Sequence, residues 1–167
     1  FTASTHDSIL FFTNLGKVYV RKGYRIPEAG RSARGQNIVN IIPTDPGEKV
    51  SAMIAGRGVT EDNYLVFVTR NGTVKRTAQS AFKNIRSNGI RALSLDEGDE
   101  LISVLQTTGE DKILLATHDG MAICFAETDA RAMGRDAVGV RGIRLREGDY
   151  VVGAGIAAEG AAILSIT

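Results

Sequence analysis

Three times along the chain an apolar, β-branched run meets a glycine turn and comes back, and this recurrence limits the fold more than any single residue does. The clearest copy is Tyr64 to Thr77, read as Tyr-Leu-Val-Phe-Val-Thr-Arg-Asn-Gly-Thr-Val-Lys-Arg-Thr. Asn71-Gly72 suits the φ > 0 positions of a type I′ turn, so the stretch predicts a tight β-hairpin whose return strand carries Lys75 and Arg76 to a basic surface. Ser8 to Lys22 repeats the design around Gly16, and Lys112 to Phe125 repeats it around Asp119-Gly120, again as a tight two-residue turn. The turn glycines stand 56 and 48 residues apart. A second marker, Gly47-Glu48, Gly98-Asp99 and Gly148-Asp149, precedes an apolar strand each time and recurs at spacings of 51 and 50 residues. Two markers holding one period identify a repeat protein.

The repeats run over approximately 6–56, 62–108 and 110–156, and a fourth begins at 160–167 with Ala161-Ala-Ile-Leu-Ser-Ile-Thr167. After its hairpin each repeat has a polar connecting loop, which Phe82 and Ile85 are expected to anchor in the second copy. A glycine (Gly35, Gly89, Gly139) then precedes a third strand, predicted at Ile38 to Ile42, Gly89 to Leu95 and Val140 to Leu145. A fourth strand is predicted at Lys49 to Ala55, Glu100 to Gln106 and Tyr150 to Ile156. No segment has a capped helical period. The expected class is all-β and propeller-like, built from four-stranded blades with about three blades present.

A chain of 167 residues with 43% hydrophobic content can bury a core, and 19 glycines against 3 prolines suit tight turns. No apolar run reaches the length of a membrane span, and the first residues lack the pattern of a signal peptide, so no membrane partner is expected and the cytoplasm is the expected compartment. Cys124 is the only cysteine and is expected to pack as a small hydrophobe in its strand.

Net charge is only +1, but its distribution is uneven. Gly16 to Asn40 carries six basic residues against Glu28 alone, and Arg70 to Arg91 carries six against none. Asp96, Glu97, Asp99, Glu100, Glu110 and Asp111 then form an acidic segment with no cation inside it. Charge that alternates with the repeat predicts an electrically two-sided body. The candidate phosphate ligands lie on return strands, connecting loops and third strands: Lys17, Arg21, Lys22, Arg31, Arg34, Lys75, Arg76, Lys83, Arg86, Arg91, Arg131, Arg135, Arg141 and Arg144. The alternative is a solvated surface that keeps β edges apart. With few aromatics and no Trp, duplex backbone contact fits better than single-strand stacking.

Nothing in the sequence calls for catalysis. His6 and His118 fall at different phases of the repeat without a second His or Cys at ligand spacing, so no metal site is expected. Gly153-Ala-Gly155 lacks a third glycine, Gly30 to Gly35 lacks the Lys-Ser/Thr of a P-loop, and no nucleophile has a base beside it. No catalytic residue and no cofactor of this stretch follow.

Three segments are distinctive: Ile26-Pro-Glu-Ala-Gly-Arg-Ser-Ala-Arg-Gly-Gln-Asn-Ile-Val-Asn-Ile41, Thr69-Arg-Asn-Gly-Thr-Val-Lys-Arg-Thr77 and Met133-Gly-Arg-Asp-Ala-Val-Gly-Val-Arg-Gly-Ile-Arg-Leu-Arg-Glu-Gly-Asp149. They closely resemble the C-terminal domain of bacterial DNA gyrase A, and the resemblance covers essentially the whole chain. It implies a β-pinwheel whose neighbouring blades exchange a strand and whose basic rim wraps double-stranded DNA. It also implies as partners the remainder of gyrase A, together with gyrase B, with ATP and Mg used on other domains of an ATP-dependent type II topoisomerase. The family disc has about six blades, so three repeats are part of one. The family's Gln-Arg-Arg-Gly-Gly-x-Gly box does not occur, and Arg31-Ser-Ala-Arg-Gly35 is a degenerate version of it. The box-less domain of the A-type chain of topoisomerase IV is the alternative within the family, and a protein-interaction propeller is the alternative from another class. The quoted motifs favour gyrase.

Overall fold

All three predicted hairpins form in the computed structural model, which describes residues 1–56 and 63–164. β1 (Ser8–Thr13) pairs with β2 (Lys17–Lys22), β4 (Tyr64–Thr69) with β5 (Thr73–Ala78), and β8 (Lys112–Thr117) with β9 (Ala122–Ala126). The turns differ from the two-residue type I′ expected at Asn71-Gly72 and Asp119-Gly120, because among the described residues none other than glycine has positive φ. Only Gly16, Gly72 and Gly120 do in these turns, at 77°, 83° and 81°, and their N–H groups donate to the carbonyls of Thr13, Thr69 and Thr117 at 3.0, 3.1 and 3.2 Å. A type I turn followed by one left-handed glycine places the whole steric demand on the residue without a Cβ. The Thr13, Thr69 and Thr117 hydroxyls then accept the N–H of the residue after the glycine, at 3.4, 3.1 and 3.1 Å.

The predicted fourth strands are β3 (Val50–Ala55), β7 (Leu101–Thr107) and β11 (Val151–Ile156), paired with β1, β4 and β8. β7 also touches β3 and β11, so these three strands form the hub around which the sheets are arranged. The acids that open them, Glu48, Asp99 and Asp149, are buried against the hairpin turns. Thr13 Oγ1 donates to Glu48 Oε1 at 2.7 Å. Asp99 Oδ1 accepts from Asn71 N–H at 2.9 Å, and Asp149 Oδ1 from Asp119 N–H at 3.0 Å. The two markers that share a period in sequence therefore meet in space.

The third strands are where expectation and structure part. β6 (Ile90–Arg91) and β10 (Val140–Arg141) are only two residues long, shorter than the strands predicted at Gly89 to Leu95 and Val140 to Leu145, and each leaves its own repeat. β6 pairs with β2 of the first repeat and β10 with β5 of the second, giving sheet orders β3-β1-β2-β6, β10-β5-β4-β7 and β11-β8-β9. Ile38 to Ile42 is not a strand: Ile38–Asn40 is a 3-10 turn capped by the Asn37 side chain on Val39 N–H at 3.2 Å. At the other end Ala161 to Leu164 form no strand, and the rest of the predicted fourth repeat lies outside the described residues.

Phe12, Phe67 and Phe82 meet edge-on or tilted at centroid distances of 5.6, 6.1 and 6.0 Å, joining the first two blades and anchoring the 79–88 loop. Val66, Val68, Ile113 and Leu115 do the same for the second and third. Cys124 departs from its expected role: it is exposed, because β9 is the edge of a three-stranded sheet. Among the described residues no helix is long and apolar enough to cross a membrane.

A Cβ on Gly72 would lie 2.8 Å from Ile143 Cγ2, whereas one on Gly120 would meet open space. Gly120→Ala is expected to lose about 1–2 kcal/mol for the left-handed conformation alone. Gly72→Ala should lose about 1–3 kcal/mol more, because it also overpacks the exchanged segment. Urea unfolding of the two variants checks the difference.

Candidate nucleic-acid interface

Strand exchange decides which cations stand together. It lays 83–91 of the second repeat beside β2 and 131–141 of the third beside β5, on the sheet edges opposite the hub. Arg91 comes directly across from Lys17, and Arg141 across from Thr73. Lys22, Arg31, Arg34, Lys83, Arg86, Arg91, Arg131, Arg141 and Arg144 are exposed, while Lys17, Arg21 and Arg135 are half-buried. Lys17 bonds to Asp45, which holds its ammonium above the usual lysine range. Arg21 Nε donates to the Ile41 carbonyl at 2.7 Å, and its terminal nitrogens reach the Ser87 carbonyl at 3.4 Å. It thereby ties the second repeat's loop to the first blade.

Lys75 and Arg76 are not on the surface predicted for them. Lys75 is fully buried, and its ammonium donates to the carbonyls of Ala92 at 2.6 Å, Arg135 at 2.7 Å and Gly134 at 3.2 Å, 5.3 Å from the Phe67 ring centroid. The segment contributed by the third repeat covers the face that an isolated hairpin would show to water. Burial first, and the Arg135 charge after it, lower the Lys75 pKa to about 8 against a partial offset from Asp136. The Arg76 side chain is 11% exposed, its guanidinium 4.6 Å over the Tyr64 ring and 3.6 Å from the buried carboxylate of Glu127. Glu127 also accepts from the Thr107 hydroxyl and the N–H groups of Gly109 and Asp111. Lys75 is enclosed and Arg76 largely covered, and both join neighbouring elements.

Other contacts were invisible to spacing arguments. Arg70 lies 4.1 Å over the Tyr150 ring, and His118 stacks on the same ring at 4.8 Å. The acid-to-turn contact brings Asp149 to His118 and Asp119, with ligand atoms all within 4.8 Å. The His118 ring and Asp119 are exposed and bonded to each other at 2.9 Å, and Asp149 is held by turn amides. Only the meeting of the two repeat markers could have revealed this cluster.

The lowered Lys75 pKa makes a signed prediction. Between about pH 8 and pH 10.5 the unfolded chain keeps a proton that the folded chain releases, so this residue makes stability rise with pH, by at most about 3 kcal/mol across the window. The difference in unfolding free energy between wild type and Lys75→Met, measured from pH 7.5 to 10.5, should grow in favour of wild type as pH rises.

Residues 7–56, 63–108 and 111–158 match the family described as the DNA gyrase C-terminal domain, beta-propeller. The DNA gyrase A protein of Staphylococcus aureus (strain NCTC 8325 / PS 47) is 50% identical over 157 residues, which are 93% of this chain and 18% of that protein. The DNA gyrase A protein of Clostridium acetobutylicum is 48% identical over 142 residues, 85% of this chain and 17% of that protein. The chain thus spans under a fifth of the length of these relatives. Among solved structures, the C-terminal domain of DNA topoisomerase IV is similar at a TM-score of 0.84 and 34% identity, covering 93% of this chain and 48% of that one. The C-terminal domain of DNA gyrase A is similar at a TM-score of 0.74 and 27% identity, covering 92% and 48%.

Proposed function

Because the chain belongs to the DNA gyrase C-terminal domain family, with its beta-propeller fold, we propose that it binds and bends duplex DNA along the outer edges of its blades as part of a type IIA topoisomerase. The observation that carries this reading is the repeated placement of arginine on the exchanged strands. Arg91 and Arg141 occupy equivalent positions on β6 and β10, one blade apart, with Arg86 and Arg131 in the loops that lead to them. A track of cations at one blade's spacing neutralises phosphates in step and reads no bases, so binding is without sequence preference. The exposed members of the predicted set are the proposed ligands; Lys75 and Arg76 drop out because their charges are enclosed.

Gyrase is the parent that sequence favours, since the relatives near 50% identity are gyrase A proteins, although the topoisomerase IV domain gives the higher of the two structural scores. Cleavage, ATP hydrolysis with Mg, contact with gyrase B and a cytoplasmic setting belong to this proposal through the parent enzyme. Three blades give half of a disc of about six. Bending 20–30 base pairs by 40–90° costs roughly 1–6 kcal/mol, which fewer ligands offset less completely.

Anisotropy titration of a random duplex should give a log–log salt slope of about −5, as expected for about six phosphates neutralised. Arg91→Glu with Arg141→Glu should reduce that slope by about 2 and weaken all sequences alike. A slope near zero would instead favour a protein-binding propeller. Grafted onto a gyrase core in place of its whole C-terminal domain, the chain should support relaxation with little or no negative supercoiling; supercoiling at the intact enzyme's rate would contradict the proposal.

A further inference from the structure

Of the cations expected on the surface, Lys75 is the one that the structure encloses completely, and the other repeats show that the fold does not need a charge at its place. Tyr19 is its counterpart in the first hairpin, opposite Phe11 as Lys75 is opposite Phe67. It is covered by the next repeat in the same way, 1% exposed with Gly89 against its ring, and its hydroxyl donates to Glu48 of its own blade at 3.1 Å. Ile123 holds the place in the third hairpin, opposite Leu115. A ring or a branched alkyl chain therefore fills this position, and an ammonium costs more to enclose than either.

The ammonium does something that those side chains cannot. It has three N–H groups and meets three carbonyls, that of Ala92 in the second repeat and those of Gly134 and Arg135 in the third. Ala92 directly follows Arg91 and donates its own N–H to the Gly16 carbonyl of the first hairpin, while Gly134 and Arg135 lie between Arg131 and Arg141. Lys75 thus joins the two stretches of the proposed track where they meet. A neutral amine keeps two N–H groups and turns a lone pair toward the third carbonyl, so one of the three contacts becomes repulsive. The protonation state of this one nitrogen sets how firmly the 131–141 segment is held.

The charges that act on Lys75 come from that same segment. β4 faces it with the Phe67 ring and the second repeat with the Ala92 carbonyl. Burial opposes its charge most, Asp136 favours it and Arg135 opposes it, which leaves the pKa at about 8. A phosphate drawn onto Arg131 or Arg141 adds negative charge beside Arg135 and offsets its repulsion. Resting on the reading that the blade edges bind duplex, we propose that Lys75 is a positioning residue whose protonation is coupled to DNA. Phosphate on the 131–141 segment favours the ammonium, and the ammonium holds Arg131 and Arg141 in register with Arg91. The proton comes from solvent. By reciprocity, duplex affinity falls as pH rises through about 8, where the unliganded chain gives that proton up.

The test follows the Cε resonances of 13C-labelled lysines from about pH 6.5 to 10, in the chain alone and saturated with a random duplex of about 30 base pairs, with anisotropy giving the affinity. One lysine should titrate near pH 8 in the free chain, and Lys75→Met should remove it. With duplex its midpoint should rise by at least about 0.5, and by more than that of Lys49, which lies outside the track and reports the general field of DNA. Arg135→Gln should raise the midpoint in the free chain and shrink the rise on adding duplex. From about pH 7 to 9.5, wild-type affinity should fall at least about threefold further than that of Lys75→Met. Thermal melts check that the variants are folded, and the wild-type midpoints decide the matter even where one is not. No lysine titrating below about pH 9, a duplex-bound midpoint that moves no more than that of Lys49, or a folded Lys75→Met with the wild-type pH dependence would each overturn this proposal alone. Absence of duplex binding at every pH would overturn the DNA reading and this proposal with it.

Discussion

The structure hangs on one turn, made three times and, at Gly16 and Gly72, stitched on two sides. Within its own repeat the turn is held by a buried acid at the head of the hub strand: Glu48 through the Thr13 hydroxyl, Asp99 and Asp149 through turn N–H groups. On the other side, the Gly16 carbonyl accepts from Ala92 and Leu93, and the Gly72 carbonyl from Gly142 and Ile143. The glycine fixes hairpin, hub and neighbouring repeat at once because it alone tolerates both the positive φ and the close approach of the next chain segment. Charged and polar contacts that would be worth little at an exposed site are placed where burial makes losing one partner expensive.

From that stitching follows the electrostatics. A repeat that kept its third segment would present its own loop cations beside its own hairpin. Exchange moves each set one blade along, so the first blade's edge carries Lys17 and Arg21 from one repeat with Arg86 and Arg91 from the next. The same displacement buries Lys75 under the third repeat's carbonyls, turning an expected surface charge into an inter-blade tie. A proposed track and a structural clamp come from one topological device.

Much of this is legible in the sequence, and the failures share a cause. Hairpins and hub strands declare themselves through β-branched runs and glycine punctuation, which are local, and Phe82 announces an anchor by being the one large aromatic residue in a polar loop. The turn type departs from expectation because Asn-Gly usually takes both left-handed positions, whereas here the Thr69 hydroxyl rewards a bulged turn in which Gly72 takes the only one. Lys75, Arg76, Cys124 and the Ile38–Asn40 turn escape a sequence reading because their surroundings depend on whether another repeat lies against them. Periodicity within a strand cannot report that. The clamp of Thr, glycine and acid is visible only as a shared period, without any indication that the two markers touch.

Hydrogen–deuterium exchange of the chain, alone and with a random duplex of about 30 base pairs, tests whether strand exchange builds the proposed DNA-binding edge. Alone, the amides of Ala92, Gly142 and Ile143 should be protected well beyond loop rates, since each donates to the turn carbonyl of the preceding repeat. With duplex, further protection should appear in 83–91 and 131–144 and leave β3, β7 and β11 unchanged. Loop-like exchange at Ala92 and Gly142, or duplex-induced protection confined to the acidic turns at 96–100 and 147–149, would contradict the account.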